Sequence, residues 1–125
     1  MKQFLTLALT GVIALSILSC KKSSSNTGST YPRQVNITYR ITSAAIDSVV
    51  FMTYDNETGG TNTADKPRLP FSKTISKKVN KYDIIAMGYF LNPAKPVTME
   101  ILVDNKLVKS QENNVPNAAM TYTFV

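Results

Sequence analysis

The chain has 125 residues, with 14 Lys and Arg against 8 Asp and Glu for a formal net charge of +6, a single cysteine and no histidine. One Cys excludes an intrachain disulfide, and the lack of His or a second Cys excludes a conventional structural zinc site. Three of the positive charges (Lys2, Lys21, Lys22) precede residue 31, so the remainder is only mildly basic. Without Trp or a clustered basic stripe, nucleic acid is not an expected partner.

Residues 1–19 read as an export signal. Lys2 supplies a positive start, and Phe4 to Leu18 is an apolar run broken only by Thr, Ser and Gly. The run is shorter than the roughly 20 apolar residues that span a bilayer, and it ends at a small residue. Ile17-Leu18-Ser19-Cys20 resembles the lipobox of bacterial lipoproteins, with Leu18 bulkier than is usual at its position. The resemblance implies cleavage before Cys20, lipidation of its thiol, and a membrane partner held through that lipid. Lys21, where an Asp would resemble an inner-membrane retention signal, implies sorting to the outer membrane. Residues 20–30, rich in Ser, Asn and Thr, read as the lipidated cysteine and a flexible tether. Ten residues reach about 35 Å extended and about 17–19 Å as a coil, so the domain is expected close to a membrane.

Residues 31–125 are expected to form one all-β domain, an antiparallel sandwich of the immunoglobulin-like kind with about seven strands. Val35, Ile37, Tyr39 and Ile41 alternate with polar neighbours, the period of a half-buried strand. Ile46 to Tyr54 is apolar on both parities and reads as a central strand, and Asp55 to Lys66 as a polar turn or hairpin loop. A third strand is expected near 69–79, where Phe71, Ile75 and Val79 share a parity, and a fourth over Ile84 to Leu91. Thr98 to Val103 gives a fifth, Asp104-Asn105 a turn, Lys106 to Ser110 a sixth and Ala119 to Val125 a seventh. All six prolines fall at or near the expected strand boundaries, where a missing N–H does least harm.

Three segments in order carry a family resemblance: Val49-Val50-Phe51-Met52-Thr53-Tyr54-Asp55, Leu69-Pro70-Phe71-Ser72-Lys73-Thr74, and Ile101-Leu102-Val103-Asp104-Asn105-Lys106. They are similar to the soluble domain of the small mycobacterial membrane proteins, the MmpS family, in patterns of the form V-x-Y, L-P-W and I-x-V-D-G. The resemblance implies an immunoglobulin-like domain that accompanies a lipid-exporting transporter of the resistance–nodulation–division type. The chain departs from that pattern at Phe71 (Trp in the family) and Asn105 (Gly). It also lacks the family's cysteine pair and has a lipid site where members use a membrane helix.

No catalytic constellation is visible, and neither a cofactor nor enzymatic activity is expected. The one thiol is assigned to lipid, and no His is present to activate a Ser. Asp55-Asn56-Glu57 with Asp65 offers oxygen ligands from one region but lacks the spacing of a calcium loop, and such residues favour turns for backbone reasons. Lys73, Lys77, Lys78 and Lys81 form the densest positive cluster. It suits either phosphates of lipid headgroups and acidic glycans, or the protection of an edge strand. Ile85, Met87 and Tyr89 oppose Ile84, Ala86 and Phe90, which makes that strand either a covered core strand or a greasy binding face with Tyr89 upon it. Two functions follow: an accessory module for an envelope transporter, or a module binding envelope carbohydrate or a small ligand.

Overall fold

A computed structural model describes residues 30–125; Cys20, the leader and most of the expected tether lie outside the described residues. Among the described residues the regular elements are all strands. They are β1 (Arg33–Thr42), β2 (Phe51–Asp55), β3 (Thr61–Asp65), β4 (Phe71–Val79), β5 (Ile84–Phe90), β6 (Val97–Val103), β7 (Lys106–Asn113) and β8 (Asn117–Thr123). They pair antiparallel in two four-stranded sheets, ordered β4-β1-β6-β7 and β3-β2-β5-β8. The described residues form an antiparallel β-sandwich, as expected from the sequence. Two hairpins, β2–β3 and β6–β7, stay within one sheet; every other connection crosses between sheets.

The inner faces carry the period-2 residues. Ile37, Tyr39 and Ile41 of β1, Met99 and Ile101 of β6, Ile75 and Val79 of β4 face Met52, Ile85, Met87 and Met120 of the second sheet, and Phe124 closes one end. Burying a side chain such as Ile101, which has no exposed surface, stabilises the fold by about 1.5–3 kcal/mol. The outer face of the first sheet is polar and locally paired. Thr38 and Thr74 share a 2.8 Å hydrogen bond, and Arg40 meets its cross-strand partner Glu100 at 3.0 Å.

Three expectations are corrected. Residues 46–50 are not strand: they carry the chain from one sheet to the other, with Val49 buried during the crossing. The Val50 carbonyl accepts from Lys66 N, Ser48 bridges Arg68 antiparallel and the Asp47 carbonyl accepts from Leu69 N, so this apolar run continues the β2–β3 pairing irregularly, outside the regular strand. The polar stretch after Gly60 does form a strand, β3, the eighth. Of its residues Thr61 to Asp65 only Ala64 packs partly against the core, so main-chain pairing with β2 does most to hold it. The last strand spans 117–123 rather than 119–125, paired with β5 from Phe90↔Asn117 to Ile84↔Thr123.

The connections give the sandwich two unlike ends. At the proximal end lie the start of β1, the β2–β3 loop, the β4–β5 link, the β6–β7 turn and the final residues. At the distal end lie the β1–β2, β3–β4, β5–β6 and β7–β8 connections.

Candidate functional site

The chain enters the described fold at the proximal end, through Tyr31, whose hydroxyl donates to the Val125 carbonyl oxygen at 3.0 Å. The next charged residue, Arg33, has the inward parity of β1 but sits at the mouth of the sandwich, opposite Val79. Its guanidinium lies 5.3 Å over the Tyr31 ring and 3.7 Å from the Asp104 carboxylate, while Nε is buried without a partner. Beside it a cavity of about 280 Å³ is lined by Arg33, Val103, Asp104, Lys106, Val108 and Tyr122.

Two turns shape this end. Asp104 and Asn105 both have positive φ (51° and 68°), the conformation of a two-residue type I′ hairpin. Asp104 clamps the turn to β1: its N–H donates to the Asn36 carbonyl at 2.8 Å and its carboxylate accepts from Asn36 N at 2.9 Å. The β4–β5 link turns through Tyr82 at φ 74°, where its N–H donates to the Phe124 carbonyl and the Asp83 carboxylate accepts from Asn80 N. Tyr82 projects outward with Lys81 Nζ 5.2 Å from its ring centroid.

The four expected lysines do not form one patch. Lys73 and Lys77 share the inward parity of Ile75 and Val79, on β4, which is an edge strand. Lys73 lies opposite Tyr39 in mid-sheet, and Lys77 reaches across to the Glu57 carbonyl of the other sheet at 3.5 Å. Inward-pointing lysines on an edge strand block pairing with another chain, so the geometry of these two fits edge protection. Lys78 and Lys81 are exposed at the proximal end.

Tyr89, for which the sequence left open a core or a binding role, lies in the core. It is 3% exposed, and its hydroxyl donates to the Val115 carbonyl at 2.9 Å. Burial raises its pKa above the ordinary tyrosine value. On the outer side of the same strand, Phe90 stacks on Phe51 with centroids 5.6 Å apart. Of the proximal residues, Ile84 was read within the apolar set of its strand, whereas Arg33, Tyr82, Lys106 and Val125 were not expected at a site; the one signal for Tyr82 was an aromatic residue inside the turn Asn80-Lys81-Tyr82-Asp83.

The acidic loop is a turn. Asn56 Oδ1 accepts from Thr58 N, Thr58 Oγ1 and Gly60 N, and the Asp55 carboxylate accepts from Ala86 N. Asp65 pairs with Phe51 at the far end of the hairpin from Asp55, about 14 Å away at strand rise. Among the described residues no three His, Cys, Asp or Glu side chains are grouped to hold a metal ion. At the distal end a cavity of about 470 Å³ is lined by Thr42, Ser43, Ala44, Ala45, Pro96, Thr98 and Glu112, with no aromatic ring.

No protein-family model matches the chain, and no curated protein matches it in sequence.

Proposed function

We propose that this protein is a lipid-anchored envelope lipoprotein of the outer membrane, and that its folded domain is a non-catalytic accessory or interaction module. Its partner class is an envelope transporter of the resistance–nodulation–division type, which is what the likeness to the MmpS domain implies. The observation that carries the reading is positional. The chain leaves Cys20 and enters the sandwich at Tyr31, the end that also presents Lys78, Lys81 and Lys106. The sandwich fold agrees with the resemblance, and the residues that carry it are structural: Val49 and Tyr54 are buried, Phe71 opens β4, and Asp104-Asn105 form the turn.

The alternative, a module for carbohydrate or another small ligand, rests on the distal cavity. There Ser43 Oγ is already engaged with Pro96 O and Ala45 N, which leaves Thr42, Thr98 and Glu112 to meet a sugar without a ring to stack on it.

Cys20→Ser tests the anchor: the variant should lose lipid by intact mass and partition into the aqueous phase. A variant that still sediments with membranes and incorporates labelled palmitate overturns the lipoprotein reading. Mild-detergent recovery of the lipidated protein with a large transporter in stoichiometric amount supports the accessory role; recovery of the protein alone counts against it.

A further inference from the structure

Exposed apolar side chains are distributed unevenly over the described residues. Six large hydrophobics are exposed: Tyr82 at 66%, Ile84 at 60%, Leu107 at 50% and Val125 at 73%, with Val50 and Val115 lower at 38% and 41%. The first four all belong to the proximal end, and the two least exposed lie at the distal end. Pairing fixes this placement: Ile84 opposes Thr123 at the start of β5, Leu107 follows the β6–β7 turn, and Tyr82 N bonds to Phe124 O. A second, independent feature marks the same spot. Tyr82 holds φ at 74°, a region that glycine or asparagine occupies easily and that costs a bulky residue of order 1–3 kcal/mol. A turn needed only for connection would relax with Gly or Asn there. Tyrosine at this position places an aromatic ring in the solvent beside a lysine.

In net charge the two ends differ only slightly; what differs is how their carboxylates are held. The proximal end carries Arg33, Lys77, Lys78, Lys81 and Lys106 against Asp55, Glu57, Asp83 and Asp104. Three of those carboxylates accept main-chain N–H groups, Asp55 from Ala86, Asp83 from Asn80 and Asp104 from Asn36. At the distal end Asp47, Asp65 and Glu112 balance Lys66, Arg68 and Lys95. Tyrosine with lysine and short aliphatic groups is the composition of a surface lying at the headgroup level of a bilayer.

We propose that the proximal end is a lipid-contacting face of the folded domain. Tyr82, Ile84 and Val125 enter the headgroup region of an anionic phospholipid bilayer, and Lys78, Lys81 and Lys106 meet its phosphates. The inference deepens the lipoprotein reading, because an anchor at Cys20 would bring this end to the membrane first. With the proximal end seated, the distal loops point away from the bilayer.

The chain has no Trp, so Tyr82→Trp gives the lipidated protein a single reporter. Reconstituted in vesicles of phosphatidylcholine with 30% phosphatidylglycerol, the introduced indole should emit at shorter wavelength than in buffer. Lipids brominated near the glycerol end of the acyl chain should quench it, while a Val115→Trp reporter at the distal end stays unquenched. Ile84→Trp repeats the measurement should the Tyr82 variant fold poorly. Lys81→Gln with Lys106→Gln should weaken binding of the unlipidated Cys20→Ser protein to the same vesicles roughly 30-fold, about fivefold per lysine. Reporters at 82 and 84 that remain open to aqueous acrylamide and unquenched by lipid, on protein whose mass shows the anchor, overturn the lipid-contacting face and leave the lipoprotein reading standing. A mass without lipid at Cys20 overturns the lipoprotein reading; the unlipidated protein then decides the face alone, since binding lost with the two lysines supports it and no binding refutes it.

Discussion

The same chemical change at two buried tyrosines is expected to have opposite effects. Tyr39 has no exposed surface, its ring is 5.4 Å from that of Tyr54, and its hydroxyl is buried with no hydrogen-bond partner. A buried, unpaired polar group costs about 1–3 kcal/mol of desolvation that folding does not recover. Tyr39→Phe keeps the ring and its packing and removes that group, so we expect a gain of about 1 kcal/mol. Tyr89 is nearly as buried, but its hydroxyl donates to Val115 O at 2.9 Å. Tyr89→Phe should therefore lose about 1 kcal/mol, the net worth of a typical hydrogen bond. For a domain of this size each kcal/mol moves Tm by about 4–8 °C, so the two variants should melt on either side of the wild type. Urea titration at constant m-value, with calorimetry for Tm, measures both. Two shifts of the same sign would refute the reasoning, because burial alone would then outweigh hydrogen-bond satisfaction.

The pH dependence of the first variant provides a second check on the same residue. Burial, and then the nearby Asp55 and Tyr54, raise the Tyr39 pKa well above its ordinary value of 10.0. In the unfolded chain the phenol releases its proton near pH 10, while in the fold it keeps it. The unfolded state therefore gains relative stability as pH rises above about 10, and the fold loses stability until the folded phenol itself ionises. Tyr39→Phe should flatten this alkaline loss, leaving a Tm that falls less between about pH 9 and pH 11 than that of the wild type. A parallel fall in both proteins would place the alkaline sensitivity elsewhere.

Asn105→Gly should be neutral to stabilising by up to about 1 kcal/mol, because Asn105 holds φ at 68° and glycine reaches that region without strain; Asn105→Val in the same melting assay should destabilise by about 1–2 kcal/mol. Ile101→Asp places a charge at a position with no exposure, between β1 and β7, and should cost several kcal/mol, so an unchanged Tm would mean the facing of β6 is wrong. Lys73→Val with Lys77→Val should keep the monomer folded but open the β4 edge, giving concentration-dependent association by light scattering; a strictly monomeric variant would refute the edge-guard role.

The parts of this fold legible in the sequence are those where one sheet face is buried and the other is wet. β1 and β4 show their period because Val35, Ile37, Tyr39, Ile41, Ile75 and Val79 turn inward while their neighbours are polar, Gln34, Asn36, Ser76 and Lys78 meeting water and Thr38 bonding to Thr74. β3 was illegible for the same reason in reverse: as an edge strand of Thr, Asn, Ala and Asp it turns only Ala64 partly inward, so its pairing is what identifies it. Residues 46–50 misled because an apolar run does not tell regular strand from an irregular crossing: Val49 is buried, while its neighbours Ser48 and Val50 pair with Arg68 and Lys66 only as isolated links. Tyr89 was ambiguous because its strand is apolar on both parities; the hydroxyl's partner, Val115, is 26 residues away, beyond any local pattern. The lysine cluster was compact in sequence, yet strand parity sends Lys73 and Lys77 to one face of β4 and Lys78 to the other. The proximal face could not be assembled from the sequence at all, since its members come from separate segments that only the topology brings to one end.

How that end would present its charge depends on where the charges stand, more than on how many there are. Its acidic groups are nearly as numerous as its basic ones, which by count alone argues against attraction to an anionic surface. The carboxylates of Asp55, Asp83 and Asp104, however, lie against main-chain N–H groups at strand ends, on short stems that keep them close to the backbone. Lys78, Lys81 and Lys106 are exposed on four-carbon stems that extend the ammonium groups beyond that layer. At physiological ionic strength interactions fade over about 8 Å, so a planar anionic surface senses the outermost charges most strongly. Glu57, exposed at the same end, stands among those outer charges, so the end is nearly neutral in sum, with its slight positive excess carried by Lys78, Lys81 and Lys106. The same arrangement explains why the turn carboxylates can serve the fold, by holding Asn36, Asn80 and Ala86, without repelling the surface that the lysines would meet.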